Sequence, residues 1–298
     1  LSPPVGRPFA IRIPALDGSF WRRMARLGSR GPVWFSRFSP PVIGVAICAF
    51  SPAKRRAIAQ NLRRVRGRRG ALRDAAEVAH TFATYASCLA EVLGGASAGG
   101  RSPEVVMCGE EHVSDALGDE RGVLFATAHT AGCEAVGPAL KSRRGLRVLI
   151  AEAAERDGAA RSIQDDARRS QGLLVAHVGD DPFAGLPLMR HLRDGGVVAI
   201  QIDRTPRGQR ARDVTLFGAR ARVPEGPLRL AALTGAPILP VFTARIGYRR
   251  YKVVASAPIR LARCAGDAAF NAAAQQIADA LAEFVRTYPT QWFHFGEE

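Results

Sequence analysis

Between residues 105 and 256 short apolar runs alternate with stretches of helical character, and this alternation is what most narrows the fold. The runs fall at 105–108, 123–128, 146–150, 173–178, 197–202, 238–243 and 251–256; helical stretches at 134–140, 156–170, 183–192 and 226–233 separate most of them. Alternation of this kind predicts an α/β class, with a mostly parallel central sheet flanked by helices. A closing helix is expected over 268–288, with Phe270, Ile277, Leu281, Phe284 and Val285 as its apolar stripe. Ahead of the sheet, residues 1–18 carry four prolines and read as an irregular leader, and 20–27, 32–50 (with interruptions), 53–65 and 72–93 read as helices. Gly94 to Gly100 breaks the chain. The expected organisation is an N-terminal helical extension over 1–100 and an α/β domain over 101–298, joined in one unit. At 298 residues and 47% hydrophobic, the chain can bury such a core.

The chemistry concentrates in Gly122-Val-Leu-Phe-Ala-Thr-Ala-His129-Thr-Ala-Gly-Cys-Glu134. A strand-type run stops at an imidazole, a Gly-containing turn follows, and a carboxylate comes five positions after the histidine. In the first turn of the next helix that carboxylate can hold one ring nitrogen and leave the other as a base. Six histidines and 27 acids give roughly half a chance match to His-x4-acid. This one is at a strand-to-helix junction, where α/β enzymes place their chemistry. Backbone amides after His129 are expected to face a developing oxyanion from the helix start. Gly95-Ala-Ser97-Ala-Gly99 matches a hydrolase nucleophile elbow, but a helix precedes it and Pro103 follows, so it reads as a linker. Cys133 is read as a small buried residue, and His112, His177 and His191 as surface or core-satisfying histidines without an acid at informative spacing.

Further blocks follow in order. They are Gly-Gly-Val-Val-Ala-Ile-Gln-Ile-Asp203, Val-Thr-Leu-Phe217-Gly218, Val-Pro-Glu-Gly226-Pro-Leu-Arg229-Leu-Ala231, Ala-Pro-Ile-Leu-Pro240-Val-Phe-Thr-Ala-Arg245 and Pro289-Thr-Gln-Trp292-Phe-His294-Phe. With His129 and Glu134, this succession resembles the lysophospholipid acyltransferase superfamily, and within it the bacterial lipid A biosynthesis acyltransferase-like branch. That branch also includes enzymes acylating mannosylated phosphoinositides. The resemblance runs from about Trp21 to Phe295. It implies a glycerolphosphate-acyltransferase-like fold. The implied activity is an O-acyltransferase: His129, oriented by Glu134, takes the proton of a lipid or glycolipid hydroxyl as it attacks an acyl thioester. Acyl-CoA or an acidic acyl-carrier protein would be co-substrate, with no cofactor. Asp203 would shape the acceptor or phosphate site, and Arg204, Phe217, Gly218, Arg222, Gly226 and Arg229 would complete the substrate-binding set. Arg222 and Arg229 are favoured for phosphate because they flank a helix start. Two departures, no Arg-Pro pair near residues 146–152 and no Gly-Asn-Trp after His129, point the acceptor away from lipid A.

The net charge of +15 is uneven: Lys54, Arg55, Arg56, Arg63, Arg64, Arg66, Arg68 and Arg69 fall in one stretch without an acid. Such a patch attracts a polyanion. Trp21, Met24, Leu27, Trp34, Phe35, Phe38 and the apolar stretch 42–50 lie beside it, which favours an anionic membrane surface. The stretch is shorter than the about 20 residues a span needs, and no secretory cleavage pattern appears. The expected place is therefore peripheral, on the cytoplasmic face of the inner membrane. A nucleic-acid-binding protein is the non-enzymatic alternative, disfavoured because aromatics do not interleave with the cations. A thioesterase or lipase using the same base is the other. Five widely spaced cysteines without a Cys-x-x-Cys pair and no compact ligand cluster argue against a disulfide framework and against a metal.

Overall fold

The computed structural model describes residues 31–94, 103–118, 121–133, 145–153, 158–170, 172–178, 183–205 and 208–295. The expected leader, the helix at 20–27, the linker with its Gly-x-Ser-x-Gly and the helix at 134–140 lie outside them.

Three helices lead: α1 (Val33–Ala49), α2 (Pro52–Arg66) and α3 (Ala71–Gly94). The α/β part follows as β1 (Glu104–Cys108), α4 (Glu110–Leu117), β2 (Val123–Thr127), β3 (Val148–Ala153), α5 (Gly158–Ser170), β4 (Leu174–Val178), α6 (Leu186–Arg193) and β5 (Val197–Gln201). It continues with β6 (Ala211–Leu216), β7 (Ala219–Pro224), α7 (Glu225–Thr234), β8 (Ile238–Gly247), β9 (Arg250–Ala255), α8 (Asp267–Thr287) and a 3-10 turn at Pro289–Gln291. The seven expected strands form one sheet in the order β1-β9-β8-β2-β5-β3-β4, parallel throughout except for β8 against β9.

Alternation along β2 divides the core between the two faces of the sheet. Val123 and Phe125 join Val113 and Ala116 of α4 on one face. Leu124 and Ala126 join α6, α7 and α8 on the other, where the expected α8 stripe is buried. β2 and β5 pair in parallel from Val123↔Val197 to Thr127↔Gln201. Continuing that register sets His129 beside Asp203.

Four elements differ from expectation. β6 and β7 form a separate antiparallel hairpin, and α4 is an unexpected helix. α1 runs unbroken through Pro40 and Pro41. Its buried Pro40, Gly44 and Cys48 lie four residues apart, one stripe packed on α3. Tertiary packing thus outweighs the two missing backbone donors. α2 and α3 share a small core of Ile58, Leu62, Val78 and Phe82 with Phe295 from the C-terminal tail. The Asn61 amide donates to the His294 carbonyl at 2.8 Å. The leading helices are therefore tied to the far end of the chain.

A Cβ at Gly44 would lie 2.5 Å from the Phe82 carbonyl oxygen and 2.9 Å from the Ala83 Cα, both backbone atoms that cannot swing away. Gly44→Ala is expected to destabilise the protein by about 1–3 kcal/mol, read as a lower urea midpoint. An unchanged midpoint would contradict the close α1–α3 crossing.

Candidate active site

His129 follows β2 by two residues and Asp203 follows β5 by two, so the sheet register delivers both to the same rim. The ring Nδ1 of His129 lies 2.8 Å from Asp203 Oδ1. The His129 backbone amide donates to both carboxylate oxygens at 3.2 Å, and the Trp292 indole N–H donates to Oδ2 at 3.0 Å. Burial pushes the Asp203 carboxyl upward. The charge of the His129 ring and the hydrogen bonds from His129 and Trp292 outweigh it and hold the acid well below the usual carboxylate range. Asp203 therefore stays an acceptor, and the ring proton belongs on Nδ1. Nε2 has no hydrogen-bond partner among the described residues, and the His129 side chain keeps 30% of its surface exposed on the wall of a cavity.

The turn after His129 is fixed by the C-terminal tail. Phe293 N–H donates to the His129 carbonyl at 2.7 Å, Ala131 N–H to the Gln291 carbonyl at 3.0 Å, and Thr130 bridges Trp292. Gly132 has φ +81°, and a Cβ there would lie 2.1 Å from the Tyr251 ring. Only glycine permits both the conformation and the approach. Burial pushes the Tyr251 phenol well above its ordinary value, so it remains a donor to Glu91. Glu91 also accepts from Arg245 at 2.7 and 3.0 Å. The expected oxyanion amides are otherwise occupied: Thr130 N–H donates to Ala128 O at 2.7 Å, Ala131 as above, Cys133 N–H to Thr130 O at 3.3 Å, and the Gly132 amide meets Cys88.

The cavity has a volume of about 1210 Å³. One wall is apolar and comes from α3, where Tyr85, Cys88, Leu89 and Val92 share one helical face. A second, polar wall comes from α5, where Arg161, Gln164 and Arg168 do the same. Strand ends supply His129, Ala151, Glu152, Ile200 and Gln201, and α6 and α7 supply Leu188, Pro227 and Leu230.

Of the sequence-derived set, His129, Arg204 and Gly226 line this cavity, and Asp203 lies behind the histidine. Glu134 lies outside the described residues. Phe217 and Gly218 form the β6–β7 turn with φ +52° and +73°, the paired positive values a tight hairpin uses. Phe217 packs on Trp292 at 6.1 Å, one contact behind Asp203, and does not line the cavity. Arg222 and Arg229 do not line it either; Arg229 is paired with Glu225. Arg212 is held by Glu225 and Asp267 at 2.8 and 2.7 Å, and Arg220 by Asp213 at 2.7 Å. Acids thus claim Arg212, Arg220 and Arg229.

Two readings change with the fold. His177 does have acids: its Nε2 lies 2.9 Å from Asp165 Oδ2, and its Nδ1 3.8 Å from Glu152. Glu152, Asp165 and His177 converge closely enough to share an ion, but Arg168 already holds Glu152 at 2.5 Å. Cys133 is half-buried on the cavity wall and not sealed in the core. The α2 cation run also loses its isolation: Arg63, Arg66 and Arg69 pair with Asp74 or Glu77 of α3. Arg56, Arg64 and Arg68 have no ion pair among the described residues.

Residues 29–297 match the family described as bacterial lipid A biosynthesis acyltransferase. The chain is 30% identical over 200 residues to the phosphatidylinositol mannoside acyltransferase of Mycobacterium tuberculosis, in the CDC 1551 / Oshkosh and the ATCC 25618 / H37Rv strains alike. The match covers 64% of this chain and spans 59% of the length of those relatives.

His294 stacks on Trp292 at 5.2 Å. Burial lowers its proton affinity, Asp203 opposes this, and Arg204, His129 and Arg64 add to it. The unfolded chain therefore takes up this proton first as pH falls below about 6.5, so the stability this group contributes at neutral pH is lost towards acid. His294→Gln is expected to lose less Tm than the parent between about pH 7 and about pH 5. Equal losses would contradict the assignment.

Proposed function

The chain belongs to the bacterial lipid A biosynthesis acyltransferase family, and from that premise we propose that it moves a fatty acyl group from an acyl thioester to a hydroxyl of a lipid or glycolipid. The observation that carries the reading is the His129 ring, held through Nδ1 by Asp203 with Nε2 left open beside the cavity. The acceptor hydroxyl gives its proton to Nε2 as its oxygen attacks the thioester carbonyl. The carbon–sulfur bond then breaks, and the leaving thiolate takes that proton back from the imidazolium. Asp203 remains charged throughout and stabilises the imidazolium. No acyl-enzyme is needed.

A base of this kind is worth typically 10²–10⁴-fold. The α3 wall of Tyr85, Leu89 and Val92 suits the acyl chain, and the strand ends and the α5 wall suit polar groups. Acyl-CoA or an acidic acyl-carrier protein is the donor. A phosphatidylinositol mannoside, the acceptor in the relatives' name, is the first acceptor to try. Glu134 keeps its proposed share in orienting the ring, alongside Asp203.

We also place the protein peripherally on an anionic membrane, at the cytoplasmic face of the inner membrane. Trp34, Phe38 and Val42, four residues apart on α1, are 66%, 59% and 69% exposed, and Phe50 is 85% exposed. Exposed aromatics beside the free cations of α2 suit an interface of apolar tails and anionic head groups. No single described helix is long and apolar enough to cross a bilayer.

Purified protein given long-chain acyl-CoA and the mannoside in vesicles is expected to release free thiol and form acylated glycolipid. His129→Ala should lower the rate by about 10²–10⁴-fold and Asp203→Asn by about 10²-fold or more. Comparing Glu134→Gln with Asp203→Asn apportions the orienting role. A His129→Ala rate equal to the parent's would overturn the base, and free fatty acid as the main product would favour the thioesterase reading. In vesicle sedimentation, the Trp34→Ser/Phe38→Ser double variant should lose most binding to anionic lipid; undiminished binding would remove α1 from the interface.

A further inference from the structure

The cavity beside His129 carries a surplus of positive charge. Its charged lining groups, apart from the histidine, are Lys54, Arg161, Arg168, Arg204 and Glu152. Glu152 is taken by Arg168, and Arg204 donates to the Phe293 carbonyl at 2.7 Å while its charge acts on the buried Asp203 carboxylate. Lys54 and Arg161 have no hydrogen bond or ion pair among the described residues. This separates them from Arg212, Arg220 and Arg229, each of which is paired with an acid.

Their positions add to this. Each stands in the first turn of its helix, Lys54 in α2 and Arg161 in α5, and neither helix has an acid there. A helix start is the partly positive end of the backbone dipole and favours anions, so a cation placed there is opposed by its own helix. A bound anion reverses that opposition and meets a concave wall with a surplus of positive charge, where potentials are strongest. The ammonium and the guanidinium are the groups that hold phosphate oxygens, the second through paired N–H donors.

We propose that Lys54 and Arg161 are phosphate-binding residues of this cavity, taking an organophosphate carried by one of the two substrates. The proposal rests on the acyltransferase reading and assigns to this pair the role that sequence alone gave to Arg222 and Arg229. The phosphate can come from the donor, as in coenzyme A, or from the head group of a phosphoinositide acceptor. The chemistry is shared, and the test separates the sources.

Full-length parent, Lys54→Ala, Arg161→Ala, the double variant and Arg161→Lys would be titrated calorimetrically with desulfo-coenzyme A and with glycerophosphoinositol. Both are soluble and neither turns over. Arg220→Ala removes one exposed, acid-paired charge and serves as control, and thermal melts confirm that each variant is folded. Each alanine variant is expected to bind one of the probes about tenfold more weakly, Arg161→Lys to retain most affinity, and the control to match the parent. A loss confined to desulfo-coenzyme A assigns the donor's phosphate, and a loss confined to glycerophosphoinositol assigns the acceptor's. Unchanged affinity for both probes in the double variant overturns the proposal. Binding is read without turnover, so a failed acyl-transfer assay with intact, Arg161-dependent binding would count against the reaction and not against this site.

Discussion

One contact, the bond between His129 Nδ1 and Asp203, organises the rest of the site, and the backbone of the sheet sets it. Residues 129 and 203 are 74 positions apart, yet the parallel ladder of β2 and β5 leaves them side by side at its end. The same carboxylate also takes the His129 amide and the Trp292 indole. Three donors on one buried acid make its ionised form the favoured one, and an ionised acceptor fixes which ring nitrogen carries the proton.

The contact is supported from outside the sheet. The tail after α8 crosses the turn that follows His129, pairs with it through Gln291 and Phe293, and presses Trp292 against Asp203. Phe217 at the hairpin tip packs against Trp292, and His294 stacks on it. The tail then passes on to α2 and α3 through Asn61 and Phe295. Helix α1, which carries the exposed aromatics, joins the same small core through Cys48 and is thereby connected to the turn after His129 by a few residues of chain. Lipid bound along α1 would act on an element already joined to the candidate site.

Much of this was legible in the sequence because it is written in local pattern. Seven apolar runs became the seven sheet strands, and the apolar stripe of α8 is buried as its spacing required. His129 was legible because a strand ends on it. What escaped depends on partners distant in sequence. Asp203 was recognisable as a strand-end acid, but register, which no single strand encodes, makes it the partner of His129. β6 and β7 were not recognised as strands because their exposed positions are Arg, Asp and Thr, with only Val214, Ala221, Val223 and Pro224 buried. His177 has no acid at informative spacing in the sequence because Asp165 reaches it from the neighbouring helix. The arginines could not be sorted from the sequence either, because which of them meet acids is decided by the fold. Pro40 and Pro41 suggested a break that packing against α3 overrides.

The site turns on where one proton of the His129 ring sits. Nitrogen-15 spectra of the imidazole rings, assigned by comparison with a His129→Gln protein, report it directly. At a pH where the ring is neutral, His129 is expected to carry its proton on Nδ1, with Nε2 showing the shift of an unprotonated, pyridine-like nitrogen. A proton on Nε2 would mean that Asp203 does not hold the ring and that no open base faces the cavity.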